Sequence, residues 1–187
     1  MAQIKSIKKK FFNVVLPLTS AKVCIYGSSA EEMEGKVVRI DMTRSLRGKN
    51  LELRARVKNN NGVLEGTPIS LEIMPSYIRR SIRKGTDYIE DSFETECKDA
   101  KLRIKPFMIA RKRVSRAVRN ALRENARKHI ESHSKARTAE EIFSEITSGK
   151  VQRDLSIKLK KVYPLAMCEI RMIEIVPEKK IQQATQQ

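Results

Sequence analysis

Residues 88–130, YIEDSFETECKDAKLRIKPFMIARKRVSRAVRNALRENARKHI, change from a two-residue to a helical periodicity. In residues 88–97, apolar and acidic side chains fall on opposite faces of an extended chain: Ile89, Phe93 and Cys97 against Glu90, Glu94 and Glu96. Residues 101–109 repeat the alternation with basic partners: Leu102, Ile104 and Met108 against Arg103 and Lys105. Because opposite charges attract across neighbouring strands, the pattern predicts an antiparallel hairpin with one acidic and one basic strand.

Residues 114–130 follow with the spacing of an amphipathic helix. One face is mostly apolar: Val114, Ala117, Val118, Ala121, Leu122, Asn125, Ala126 and His129. The opposite face carries five arginines: Arg113, Arg116, Arg119, Arg123 and Arg127. Repeated like charges destabilise an isolated helix, and arginine binds phosphate through two parallel hydrogen bonds. This face therefore predicts contact with RNA; the alternative is a solvated face that happens to be basic.

The rest of the chain divides into short apolar strands before this stretch and helices after it. Strands are expected at residues 11–16, 21–26, 34–42, 51–57 and 63–74, with a helix at residues 75–84. Asn61 and Gly62 predict a hairpin turn between two of these strands. Beyond residue 130, Thr138 and Glu141 predict a capping box, Gly149 ends that helix, a third helix spans residues 151–162, and a last strand spans residues 167–176. We expect a basic N-terminal arm at residues 1–10, a single domain at residues 11–176, and a polar, disordered tail at residues 177–187.

Charge is the feature of the composition that bears most on function. The 187 residues include 39 Lys and Arg against 22 Asp and Glu, a formal net charge of +17. Such an excess repels itself in a compact fold and is usually neutralised by a polyanion, of which nucleic acid is the first candidate. No apolar stretch approaches the roughly 18 residues needed to span a bilayer. Cys24, Cys97 and Cys168 are too far apart for a zinc ribbon or a disulfide scaffold, and are expected to be reduced.

Basic residues also cluster elsewhere along the chain. The clusters lie in the N-terminal arm, in a loop, around the helix at residues 75–84, and before the arginine-rich helix: Lys8, Lys9 and Lys10; Arg44, Arg47 and Lys49; Arg79, Arg80, Arg83 and Lys84; Arg111, Lys112 and Arg113. Each cluster alone is weak evidence for RNA binding. Together they favour a protein embedded among phosphates over one that contacts RNA at a single site.

Catalytic and metal-binding patterns are sparse. His129 and His133 lie four residues apart on a helix, but no further ligand completes a zinc site, so no metal or other cofactor is expected. The acidic residues at 90–96 could hold a divalent cation in a free-standing RNA-processing enzyme, which is the alternative function. Their alternation fits the solvent face of a strand more simply. A membrane-surface adaptor is a third possibility, although the basic helix lacks the large aromatic face of interfacial helices.

Taken in order, several segments resemble a ribosomal protein family of archaea and eukaryotes, the S-three-A-e (e-type S-one) proteins. The segments are residues 9–15 (KKFFNVV), 35–38 (GKVV), 77–80 (YIRR), 101–106 (KLRIKP), 110–113 (ARKR), 119–123, 161–165 (KVYPL) and 169–171 (EIR). Phe11 and Phe12 stand where the family typically has Trp-Tyr, and Asp99-Ala100 stands where it usually has Asp-Gly. The C-terminal tail is shorter than in eukaryotic members.

The resemblance implies an α+β fold in which an antiparallel, barrel-like sheet and packed helices form a single domain. It also implies a structural, non-catalytic protein of the cytoplasmic ribosome, bound to small-subunit ribosomal RNA on the platform side, near the 3′ end of that RNA and the messenger exit. The implied partners are ribosomal RNA, neighbouring small-subunit proteins and messenger RNA near the exit, but no membrane. A transient RNA-binding factor remains an alternative.

Overall fold

A computed structural model describes residues 9–19, 21–44, 46, 48–60 and 62–176. Among these residues are nine strands and five helices, which confirms the α+β class. The chain forms two compact units, Met1–Ser81 and Ile82–Gln187. The predicted tail at residues 177–187, most of the predicted arm, and Lys8 and Arg47 lie outside the described residues.

The first unit is built on five strands. Its elements are β1 Lys10–Leu16, β2 Ala21–Gly27, α1 Ala30–Met33, β3 Val37–Asp41, β4 Leu51–Asn60, β5 Val63–Ile73 and α2 Pro75–Ser81. Pairing gives the strand order β2-β1-β5-β4-β3, in which only the β1/β5 pair is parallel. Alternation in β4 buries Leu51, Leu53, Ala55 and Val57, as the sequence predicts. The predicted β4/β5 hairpin is confirmed: Gly62 has φ 87° and donates its N–H to Asn59 Oδ1 at 3.1 Å.

The short helix α1 was not predicted, because its four residues are too few to show a helical period. Met33 of α1 is fully buried with Val14, Val57 and Leu64. A side chain at Gly27 would collide with Met33, since an added Cβ would lie 1.6 Å from its Cε. Glycine at position 27 therefore makes room for the residue that anchors α1.

The second unit consists, in chain order, of three strands, three helices and a final strand. Its elements are β6 Tyr88–Glu90, β7 Phe93–Glu96, β8 Lys101–Ala110, α3 Arg116–Lys135, α4 Ala139–Ser148, α5 Lys150–Leu159 and β9 Leu165–Ile175. Strand β8 is central: β9 pairs with one edge, and β6 and β7 pair with the other, all antiparallel. The predicted acidic strand is thus two short strands. The predicted charge pairing is confirmed, because Glu94 lies 3.0 Å from Lys101 Nζ and 2.9 Å from an Arg103 nitrogen.

The predicted barrel-like closure is wrong. In the first unit β2 and β3 are the outer strands, and the described residues show no pairing between them. In the second unit β9 and the β6/β7 pair lie on opposite edges of β8. A closed barrel has no outer strands of this kind, so the described strands form an open sheet. The parallel β1/β5 pair also makes the pairing mixed rather than purely antiparallel.

Local capping sets the helix boundaries in the second unit. Thr138 and Glu141 form the predicted capping box of α4, and Gly149 ends that helix in the left-handed region, with φ 74°. Helix α3 begins at Arg116, two residues after the predicted start, because Ser115 is its N-cap: Ser115 Oγ accepts a hydrogen bond from the Val118 N–H. Helix α3 also extends five residues beyond the predicted end, to Lys135.

The buried stripe of α3 is narrower than predicted. It consists of Leu122, Ala126, Ile130 and Ser134, spaced four residues apart. Ala117 and Asn125, which the sequence assigned to the apolar face, are exposed. The difference arises because no described residue in the first turn of α3 is buried, so packing begins only at Leu122.

Candidate nucleic-acid interface

A basic turn connects β8 to α3 at residues 111–115, and its backbone is held in place by Asp87. The Asp87 carbonyl accepts a hydrogen bond from Ala110 N at 2.9 Å. Its Oδ2 atom accepts another from Val114 N at 3.0 Å. Asp87 precedes Val114 by 27 residues and belongs to no motif, so nothing in the sequence marks this role. The two hydrogen bonds fix the chain on both sides of Arg111, Lys112 and Arg113.

The turn and the first turn of α3 carry five cations, which we call the basic turn cluster: Arg111, Lys112, Arg113, Arg116 and Arg119. All five side chains are exposed. Within the described part of the chain, none of them forms an ion pair. The first turn of α3 contains no acidic residue, and the N-terminus of a helix is itself partially positive. The positive charges of the cluster and of the helix N-terminus therefore add together, and no acidic residue in the first turn of α3 offsets them.

Arg123 and Arg127 differ from the cluster, although the sequence placed them on the same face. Arg123 Nε donates to the Glu90 carbonyl at 3.3 Å. Arg127 pairs with Glu131 at 2.8 Å, and its guanidinium carbon lies 5.4 Å from the centre of the Phe93 ring. The hydrogen bond to Glu131 raises the pKa of Arg127. Both arginines hold α3 against the β6/β7 edge, so they are less available to a phosphate than the basic turn cluster.

Most described residues of the other predicted clusters are exposed. Lys9, Lys10 and Arg44 are exposed in the first unit, whereas Lys49 is half-buried and has interactions of its own. Arg79 and Arg80 lie on α2, where Arg80 Nε donates to the Ser76 carbonyl at 3.3 Å. Arg83 and Lys84 are exposed at the start of the second unit. RNA contact by any of these residues stays a prediction.

Two of the acidic residues considered for the alternative enzyme, Glu90 and Glu94, are engaged in ion pairs. Glu90 lies 2.9 Å from Arg171, and Glu94 lies between Arg103 and Lys101. Hydrogen bonds from Arg103 and Lys101 lower the pKa of Glu94. In the part of the chain that the structure describes, no three His, Cys, Asp or Glu side chains are grouped to hold a metal ion. These carboxylates act as partners of basic side chains in the sheet.

The two histidines stack against each other on α3, with ring centroids 6.1 Å apart. Burial lowers the pKa of both His129 and His133. Arg137 lies 3.0 Å from His133 Nδ1, and arginine can only donate, so Nδ1 is an acceptor and the proton of the neutral ring is on Nε2. That nitrogen is 3.3 Å from Glu145 Oε2, without hydrogen-bond alignment. The arrangement places His133 of α3 beside Glu145 of α4.

The described cysteines form no disulfide; Cys24 is exposed, Cys97 is half-buried and Cys168 is buried. Burial raises the pKa of Cys168 to about 12, which keeps it a thiol at neutral pH. No described helix is both long enough and apolar enough to cross a bilayer.

The basic turn cluster lies within a sequence that matches a known family over nearly its whole length. The model of the Ribosomal S3Ae family matches residues 2–179. The chain belongs to this family. Its match to the protein named small ribosomal subunit protein eS1 of Nanoarchaeum equitans is 26% identical and covers 92% of this chain and 91% of the relative.

Other archaeal relatives carry the same name. The Pyrobaculum islandicum protein is 26% identical over 90% of this chain and 79% of its own length. The Methanothermobacter thermautotrophicus protein is 28% identical, with a match that spans 59% of this chain and 57% of the relative. The segments that carried the resemblance, including residues 110–113 at the start of the basic turn, thus lie within the matched range of the Ribosomal S3Ae family.

Proposed function

We propose that this protein is a structural constituent of the small ribosomal subunit, in the cytoplasm, and that it binds ribosomal RNA through exposed basic surfaces near the platform and the messenger exit. Its relatives named as small-subunit proteins support the ribosomal role. The observation that carries the RNA-binding role is the basic turn cluster. Its five exposed cations are held on a fixed backbone and have no ion-pair partner among the described residues.

The proposed contact is with phosphates and sugars rather than with base edges. The major groove of a helical RNA is too deep and narrow for side chains to read, so double-stranded regions are recognised by shape and backbone charge. Arginine suits this task because its planar group forms paired hydrogen bonds to one phosphate. The neighbouring small-subunit proteins and messenger RNA at the exit are the further partners of this proposal, which includes no catalytic step.

The salt dependence of RNA binding tests this proposal. Each phosphate contact releases condensed counterions, so the logarithm of affinity falls with the logarithm of salt concentration by about 0.7 to 0.9 per contact. If the basic turn cluster binds together, we expect a slope of magnitude about 4 or more for the full chain on a small-subunit RNA fragment. A slope near 1 would show that the cluster does not engage phosphates as a unit. Incubation of the same complexes with magnesium, followed by gel analysis, is expected to leave the RNA intact.

A further inference from the structure

Two aromatic rings are exposed side by side on the outer face of the β1/β2 hairpin. Phe11 and Tyr26 are directly opposite in the antiparallel register, so both side chains project from the same face. Their exposed fractions are 75% and 55%, and their ring centroids are 5.0 Å apart at an interplanar angle of 48°. The other face of the hairpin is directed into the core through Val14 and Leu16, which are fully buried. The exposed rings therefore contribute little to the core of the unit.

The same hairpin is basic and contains no acidic residue. Between residues 9 and 27 there is no Asp or Glu, whereas Lys9, Lys10 and Lys22 are all exposed. Lys9 Nζ lies 6.0 Å from the centre of the Tyr26 ring. Lys22 is opposite Val15 in the register, on the outer face that carries the two rings. A surface that combines aromatic rings with unopposed cations complements a single-stranded nucleic acid, in which bases stack on rings and phosphates meet cations.

We propose that the Phe11–Tyr26 pair, flanked by Lys9 and Lys22, binds an unstacked base of single-stranded RNA. The inference rests on the proposed function for the presence of RNA, and adds a second class of RNA contact to the basic turn cluster. A base within a continuous helix has both faces covered by its neighbours, so only a looped-out, bulged or terminal base can stack on these rings. The lysines contact the phosphates beside that base.

Binding of two fluorescent RNAs to the full chain tests this inference. One probe is a single-stranded oligonucleotide without secondary structure, and the other is a hairpin of equal charge with a short, closed loop. Phe11→Ala and Tyr26→Ala are each expected to weaken single-strand binding by about tenfold, the range found when a stacking aromatic is removed. Binding of the duplex is expected to change by less than about twofold, because phosphate contacts remain.

Three further variants separate stacking from apolar contact and from loss of structure. Phe11→Leu keeps apolar bulk without a ring and is expected to bind the single strand as weakly as Phe11→Ala. Phe11→Trp keeps an aromatic ring and is expected to bind the single strand with wild-type affinity. Val63→Ala removes apolar surface at a position in the same unit that is 53% exposed, and is expected to leave both affinities unchanged. Circular dichroism of every variant is expected to match the wild type, since the replaced side chains lie on the surface.

The outcomes distinguish this inference from the proposed function. If wild-type protein binds both RNAs and the Phe11 and Tyr26 variants bind the single strand equally well, the stacking site is refuted while RNA binding stands. Equal losses on single strand and duplex would also refute it, because a stacking contact is specific to unstacked bases. If the wild type binds neither probe above background, the proposed function itself fails.

Discussion

Replacing Arg116 and Arg119 together by glutamate is expected to weaken binding of the full chain to small-subunit RNA by a factor on the order of 100 near 0.1 M salt. Two phosphate contacts are lost, and two carboxylates are placed beside the RNA backbone where two cations stood. The magnitude of the salt slope is expected to fall by about 2, since each lost phosphate contact lowers it by about 1. Both side chains are exposed and unpaired among the described residues, so the fold is expected to be unchanged.

The matched control is the double reversal Lys128→Glu with Lys135→Glu. It makes the same change in net charge on the same helix, also at exposed positions. At about 1.5 Å per residue, Lys128 lies on the order of 14 Å beyond Arg119 along the helix axis. We expect this control to lower affinity by less than about fivefold, through the change in overall charge alone. Equal losses in the two double variants would contradict a local phosphate site at the start of α3.

Replacing Arg123 and Arg127 would test RNA binding less directly than replacing Arg116 and Arg119, although the sequence places them on the same helix face as Arg116. Arg123 donates to the Glu90 backbone, and Arg127 pairs with Glu131 and contacts Phe93. Their replacement would remove contacts that hold α3 against the sheet as well as any contact with RNA. Replacing Arg116 and Arg119 tests RNA binding without removing a packing contact, because no described contact of the fold uses their side chains.

The second large effect is expected on stability. Phe143→Ala is expected to lower the free energy of unfolding by about 3–5 kcal/mol, the cost of removing a fully buried aromatic ring and leaving a cavity. Phe143 is 0% exposed on α4, which packs against α5 and β9. Since typical domains are stable by only about 5–15 kcal/mol, the loss is a large fraction of the total. Urea unfolding followed by circular dichroism measures it.

The control for this variant is Ile157→Ala on the adjacent helix α5. Ile157 is 67% exposed, so its truncation is expected to change the free energy of unfolding by less than about 0.5 kcal/mol. Phe143→Leu refills most of the cavity, so its loss in free energy of unfolding is expected to lie between those of Phe143→Ala and Ile157→Ala. A Phe143→Ala protein as stable as Ile157→Ala would show that α4 does not belong to the core of the second unit.

The elements that the sequence predicted correctly are those determined by nearby residues. Alternation in residues 51–57 and 101–106, the Thr138 capping box and the Gly149 C-cap all depend on side chains within a few positions of one another. Barrel closure, the β1/β5 pairing and helix α1 depend on residues far apart in the chain. Helix α1, for example, is held by Met33 packing beside Gly27 and Val57, which no local periodicity reveals.

In the candidate interface, too, the sequence predicted the features set by nearby residues and missed those set by residues far apart in the chain. The excess of arginine on one face of α3 is visible in the sequence. The sequence does not show which of these arginines are free of contacts within the fold. That depends on the Glu90 carbonyl and the Phe93 ring, which lie about 33 residues away in the chain. The anchoring of the basic turn by Asp87 and the pairing of Phe11 with Tyr26 likewise appear only once the strands are aligned.

Sedimentation of a cell lysate through a sucrose gradient, with detection of this protein in each fraction, tests the ribosomal role most directly. We expect the protein to migrate with the small subunit and to remain there after a moderate salt wash, because several basic surfaces act together and binding by many phosphate contacts is retained until salt is high. Recovery of the protein only in the light fractions, or its release by mild salt, would contradict a structural role in the subunit and would favour a transient RNA-binding factor.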